Sequence, residues 1–113
     1  MKINLLLGAA LVLFSAAAFA QDSLKGNAQT GKDLFVAKGC YSCHGFVGQG
    51  SREGPRLMPA LPYPAFVAQL RTPRTIMPPY TATLVNDQQA ADIHAYLESQ
   101  PKPPDPKSIK LLQ

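Results

Sequence analysis

Eleven prolines lie between Pro55 and Pro106, and none precedes them. Each fixes φ and lacks a backbone N–H. No helix therefore runs through one beyond its first turn, and no central strand contains one. The longest proline-free stretches are the segment before Pro55, the gap from Pro64 to Pro73 and the gap from Pro79 to Pro101. Such a chain closes on itself through long loops, and a small domain needs something to organise them.

The first twenty residues are of another kind. Lys2 precedes an apolar run from Leu5 to Phe14, and Ala18-Phe19-Ala20 is a small-x-small site followed by polar Gln21-Asp22. This pattern predicts a secretory signal peptide over residues 1–20, cleaved after Ala20. A retained membrane anchor is the competing reading, but a spanning helix needs about 20 apolar residues and this core is shorter. Cleavage shortens 113 residues to 93, lowers the net charge from +4 to +3 and lowers the hydrophobic share from 46% to about 39%. The expected location is the periplasm, with no membrane span after cleavage. A small exported domain of modest apolar content usually carries a staple: disulfides, a metal or a cofactor. Two cysteines and two histidines rule out a disulfide-dense scaffold and a multi-histidine metal site.

Gln21 to Gly26 reads as a flexible lead-in. Asn27 to Lys38 reads as a helix, with Leu34, Phe35 and Ala37 apolar, Asn27 or Thr30 as cap and Gly39 as stop. From Cys40 to Pro64, glycines and prolines predict mostly loop. Ala65 to Arg71 is a short helix with Phe66, Val67 and Leu70 on one face and Pro64 near its start. Thr72 to Val85 is loop. Asp87 to Ser99 is the longest helix signal: Asn86 and Gln89 form a capping box, and Ala90, Ile93 and Leu97 recur on one side with Tyr96. Pro101 to Pro106 should be extended. Ile109, Leu111 and Leu112 make an apolar tip that docks on the body or ends a loose tail. No repeat is visible and no run alternates long enough for a strand. The fold class is all-α, with three to five short helices joined by long loops.

Cys40-Tyr41-Ser42-Cys43-His44 is C-x-x-C-H, the attachment signature of a c-type haem. Two thiols on one helical turn reach the two vinyl groups of one porphyrin as thioethers. The next residue, His44, brings its imidazole beneath the iron. Three other readings compete. A thioredoxin-like pair needs a βαβ context, which is missing. A Cys40–Cys43 disulfide closes a very small loop and supplies no core. A zinc site from Cys40, Cys43 and His44 lacks a fourth ligand. Motif, export and helix placement together favour one haem c, covalent through Cys40 and Cys43, with its iron.

From about Asn27 to Ser99 the chain resembles the class I monohaem cytochromes c of the bacterial periplasm. Gly31-Lys32-x-Leu34-Phe35 is similar to the family's N-terminal helix, and Cys40-x-x-Cys43-His44-Gly45 to its haem motif. Gly54-Pro55-x-Leu57 is similar to its proximal loop, Met77-Pro78-x-Tyr80 to its distal loop and Ala95-Tyr96-Leu97 to its last helix. The resemblance implies the cytochrome c fold, helices and long loops wrapped around one covalent haem. Residues 21–100 would be that domain, and 101–113 a proline-rich tail. Met58, Met77 and His94 are candidates for the sixth iron ligand. The resemblance implies Met77, with His44 opposite. Met58 sits on the proximal segment, and His94 reads as a surface or boundary histidine.

By the same resemblance, Pro55 offers its carbonyl to His44 Nδ1–H; otherwise it is a turn residue. Leu57 and Phe66 wall the pocket. Gly31 and Tyr96 meet where the first and last helices cross. Arg71 and Arg74 pair with haem propionates or are solvated.

His/Met ligation leaves no open iron site, so the implied function is electron transfer rather than catalysis. The protein would be a free carrier or the cytochrome subunit of a dehydrogenase or oxidase. Its partners would be redox proteins: a dehydrogenase, an oxidase or another cytochrome. A tail strapped to a larger subunit is one way to be such a subunit. The rival is a peroxidase-like haem enzyme or gas sensor with an open distal site, for which only His94 offers a distal acid–base group. Scattered lysines and arginines without an aromatic platform argue against nucleic acid.

Overall fold

The computed structural model describes residues 24–112; the signal segment 1–20 lies outside the described residues. Four α-helices appear in chain order, α1 (Ala28–Ala37), α2 (Tyr41–His44), α3 (Tyr63–Arg71) and α4 (Asp87–Glu98), followed by 3₁₀ turns at Pro106–Ser108 and Lys110–Leu112. Among the described residues there is no strand. The architecture is all-α and consistent with the cytochrome c fold.

The caps explain where α1 and α4 begin. Asn27 Oδ1 accepts from Thr30 N at 2.9 Å, satisfying one of the N–H groups a helix start leaves unpaired. At α4 the Asn86 side chain accepts from Gln89 N at 2.8 Å, and Gln89 Oε1 accepts from Asn86 N at 3.0 Å, the reciprocal capping box. Helix α3 starts at Tyr63, two residues before the expected Ala65. Pro62 occupies the cap and Pro64 the first turn, where its fixed φ and missing N–H cost nothing.

Helices α1 and α4 pack closely. A Cβ on Gly31 would overlap the Asp92 carbonyl, so only glycine lets the two backbones approach this far. The expected meeting of Gly31 with Tyr96 is corrected: Gly31 faces Asp92 and Ile93, and Tyr96, one turn on, meets Phe35 at 5.6 Å between ring centroids. Residues four apart share a helix face, so the crossing engages both layers. Buried Asp92 accepts from Asn27 N at 2.8 Å and from Gln88 Nε2 at 3.0 Å. Gln88 Nε2 also reaches Lys25 O at 3.1 Å, and Gly26 lies against Ala91. The described part of the expected flexible lead-in, from Leu24, is therefore seated on α4 at Lys25 and Gly26; residues 21–23 lie outside the described residues.

Phe35, Phe66, Leu70, Val85, Ala90, Ile93, Tyr96 and Leu97 form one buried cluster. The apolar stripe read for α4 is the inner face of this core. The tail does not share it. Leu111 is 96% exposed and Ile109 is half-buried, so the Leu111 side chain covers no part of the body.

The Gly31 contact gives a direct test. Alanine favours a helix by about 1 kcal/mol over glycine, but here its methyl meets a backbone carbonyl that cannot rotate away. Gly31→Ala should therefore lose about 1–3 kcal/mol in denaturant unfolding of the holoprotein. Unchanged or raised stability would show that the helices sit further apart.

Candidate cofactor site

Helix α2 is a single turn that carries Cys43 and His44, with Cys40 at its N-cap. Ser42 Oγ donates to Gly39 O at 2.7 Å and Gly45 N to Tyr41 O at 2.8 Å, so both ends of the turn are tied down. Both cysteines are free and half-buried. Burial is the main cause that pushes the Cys40 thiol above its ordinary range, outweighing hydrogen bonds from its own backbone and Tyr80. That is the reverse of the lowered pKa of a thioredoxin-type nucleophile. Among the described residues no three His, Cys, Asp or Glu side chains converge as a metal-binding group, so Cys40, Cys43 and His44 do not assemble a zinc site.

His44 is buried, and its Nδ1 lies 2.8 Å from Pro55 O. A carbonyl oxygen only accepts, so Nδ1 carries the hydrogen and Nε2 keeps its lone pair. Nε2 has no hydrogen-bond partner among the described residues. This pairing fixes ring orientation and tautomer, as a ligating histidine requires.

The loop that delivers Pro55 is held by Gly50 N to His44 O at 2.8 Å, Ser51 Oγ to Cys43 O at 2.6 Å and Leu57 N to Gly48 O at 2.8 Å. Gly54 allows the final approach. A Cβ there would stand 2.9 Å from Cys43 O and 3.1 Å from two atoms of the His44 ring.

The structure thus brings Cys40, Cys43, His44 and Pro55 together. Met77 comes from the loop after α3 and is half-buried; with Cys40, Leu57 and Tyr80 it packs on the edge of the core cluster. Phe66 is a full member of that cluster. Met58 is buried beside Leu97 and Gly48, outside the main core cluster. The donor set fits a covalently attached haem: two free thiols on one turn, followed by an oriented imidazole with one nitrogen left over. Two shallow clefts, one beside Met58 and Leu97 and one beside Val47 and Tyr96, do not touch this group.

Two expectations are corrected. Arg71 is not held ready for propionates. Its Nη1 donates to Tyr80 O at 2.7 Å and Val85 O at 2.8 Å, and its Nη2 to Asp87 at 2.9 Å. The guanidinium fork closes the loop between α3 and α4 onto both helices. His94 is not a surface or boundary residue. It is 8% exposed, with Nε2 2.7 Å from Leu61 O and its ring against Tyr63 and Phe66. The loop before α3 and the α3 aromatics cover that side of α4.

Two tyrosines act in ways the sequence does not announce. Tyr80 OH donates to Lys38 O at 2.9 Å, joining the Met77 loop to the end of α1. Tyr96 OH donates to Phe46 O at 2.8 Å, joining α4 to the chain just after His44. Both partners are main-chain carbonyls, which no side-chain pattern marks.

Residues 26–97 match the family model described as Cytochrome C oxidase, cbb3-type, subunit III. The match takes in the whole cluster and Met77, and stops before the tail. No curated protein matches the chain.

The Tyr96 tie has a pH signature. Burial raises the Tyr96 hydroxyl above its ordinary range, about 10. A raised folded-state pKa contributes stability that is fully present below the unfolded value and is lost as pH rises through the folded value. Stability should therefore fall above about pH 10. Tyr96→Phe should cost about 1 kcal/mol at neutral pH through the lost hydrogen bond and decline less steeply above it. Denaturant midpoints from pH 7 to 11 (roughly the span around the tyrosine value) compare the slopes; identical slopes would remove Tyr96 as the cause.

Proposed function

Because the chain belongs to the cytochrome c family, as a cbb3-type oxidase subunit III-like monohaem domain, we propose that it is a periplasmic one-electron carrier. One haem c would be held by thioethers to Cys40 and Cys43, and His44 and Met77 would supply the iron's protein ligands. The family match over residues 26–97 carries haem binding and electron transfer, and the domain bounds 21–100, the ligand pair, location and partners are part of the proposal. The observation that carries the reading is the His44 pairing. Nδ1 is committed to Pro55 O at 2.8 Å while Nε2 is left with its lone pair, beside two free thiols.

Bound haem supplies an Fe(II)/Fe(III) couple, whose potential is raised by a Met ligand. The chain's own residues do the rest. Cys40 and Cys43 tether. The Pro55 carbonyl holds the imidazole hydrogen and keeps Nε2 turned outward. Leu57 and Phe66 exclude water, and Pro78-Pro79 stiffen the segment just after Met77. Keeping both ligands rigid keeps the rearrangement between oxidation states small.

A distal acid–base histidine is what the enzyme or gas-sensor reading needs. His94 is instead engaged with Leu61 O at 2.7 Å and sits 3.5 Å from Glu98, which supports the carrier. The partner is a redox protein, and the family description makes an oxidase complex the first candidate. The predicted signal over residues 1–20 supports export. No helix among the described residues is long and apolar enough to cross a membrane.

Spectroscopy of the holoprotein tests the ligand pair. The ferric protein should show the weak red methionine–iron(III) band and take up cyanide slowly, and the ferrous protein should resist CO. Met77→Ala should lose the band and bind CO at once. Wild-type protein without the band, or with immediate CO binding, would overturn the carrier reading.

A further inference from the structure

The Met77 sulfur has a polar neighbour that the ligand reading does not use. Gln69 Nε2 donates toward Met77 Sδ at 3.8 Å, and Gln69 Oε1 accepts from Arg74 Nε at 3.5 Å. The partners assign the amide orientation. Guanidinium nitrogens only donate and a thioether sulfur only accepts. The reverse rotamer would set oxygen against sulfur and NH₂ against guanidinium.

The backbone brings these three residues together. Gln69 lies on α3, and the chain leaves the helix at Thr72. Thr75 takes φ +75°, a left-handed conformation rare for a β-branched residue. Arg74 and Met77 flank that reversal and both return to Gln69. Ile76, between them, is 86% exposed. At this corner a polar chain fastens the loop beside the packing of Met77 on the core edge. Further along, Tyr80 N donates to Leu70 O at 2.8 Å and Arg71 holds the Tyr80 and Val85 carbonyls. Those anchors begin three residues after Met77 and do not orient its side chain.

We propose that Gln69, oriented by Arg74, is a positioning residue for Met77: its amide N–H occupies one sulfur lone pair and leaves the other free for a bound iron. The inference rests on Met77 being the sixth ligand. It adds that the ligand's hold depends on a side chain on the neighbouring helix. The contact is a long hydrogen bond to sulfur, so its effect is modest and bears on ligand exchange rather than on the fold.

Exogenous imidazole competing for the ferric holoprotein reads that hold directly. Gln69→Leu removes the donor, and Gln69→Glu keeps the length and the Arg74 partner but offers no proton to sulfur. Both should bind imidazole roughly threefold more tightly than wild type, the low end for one lost hydrogen bond. Both should shift or weaken the methionine–iron(III) band while leaving the thioether haem spectrum unchanged. Wild-type affinity in Gln69→Glu would assign the corner to Arg74 anchoring alone and overturn the sulfur contact. Should Gln69→Leu fail to take up haem, Arg74→Leu provides the second variant. It leaves the donor in place but frees the amide to rotate, and imidazole affinity equal to wild type would overturn the relay. Met77→Ala separates the two levels. If wild type already binds imidazole as Met77→Ala does, the ligation reading has failed, and Gln69 with it.

Discussion

The α1–α4 crossing is the contact on which everything between depends. It joins the first and last helices of the domain, so the loops that carry Pro55 and Met77 are closed into one long excursion whose ends are already fixed. Close approach is possible because Gly31 presents no side chain to the Asp92 carbonyl, and Phe35 meets Tyr96 with tilted rings one turn further on. Closing a long loop costs entropy that grows only slowly with its length. The chain therefore tolerates an irregular middle as long as these two helices hold.

Within that middle, polar groups do much of the fastening that apolar burial does elsewhere. Arg71 donates to two carbonyls and a carboxylate across the α3–α4 loop. Tyr80 reaches Lys38 O, Tyr96 reaches Phe46 O and His94 contacts Leu61 O. Arg71, Tyr96 and His94 reach from helices to main-chain carbonyls of loops, and Tyr80 reaches from a loop to the end of α1; each bond satisfies a carbonyl that would otherwise need water. Proline explains why this is needed. A loop that cannot pair its own backbone in regular structure leaves its carbonyls for side chains to take.

The helices were legible because their signals are local: Asn27 and Asn86 as caps, Gln89 three residues on, and the Ala90, Ile93, Leu97 stripe. C-x-x-C-H was legible for the same reason. What escaped depends on residues distant in sequence. The Arg71 side chain looks the same whether it faces solvent, a propionate or Val85 O, which lies 14 residues away. His94 looked peripheral because the rings that bury it, Tyr63 and Phe66, belong to another helix. The tail tip was ambiguous because an apolar pattern records what a segment can cover and says nothing of where it lies.

The site's two halves are built differently, and the difference bears on electron transfer. The His44 half is local and main-chain based: one turn of helix, a loop of few residues and the Pro55 carbonyl, with Gly54 allowing contact. Such a unit has little freedom once α2 forms. The Met77 half reaches its place by a reversal at Thr75, with anchors on α3 and at the end of α1, and its nearest neighbour Ile76 lies in solvent. A carrier needs both ligands to stay put while the iron changes charge. The His44 side secures this by local geometry, whereas on the Met77 side the main-chain anchor, Tyr80 N to Leu70 O, lies three residues past the ligand, and the contacts at the ligand itself are core-edge packing and a long hydrogen bond to sulfur. In the proposed carrier, ligand exchange would therefore begin on the Met77 side.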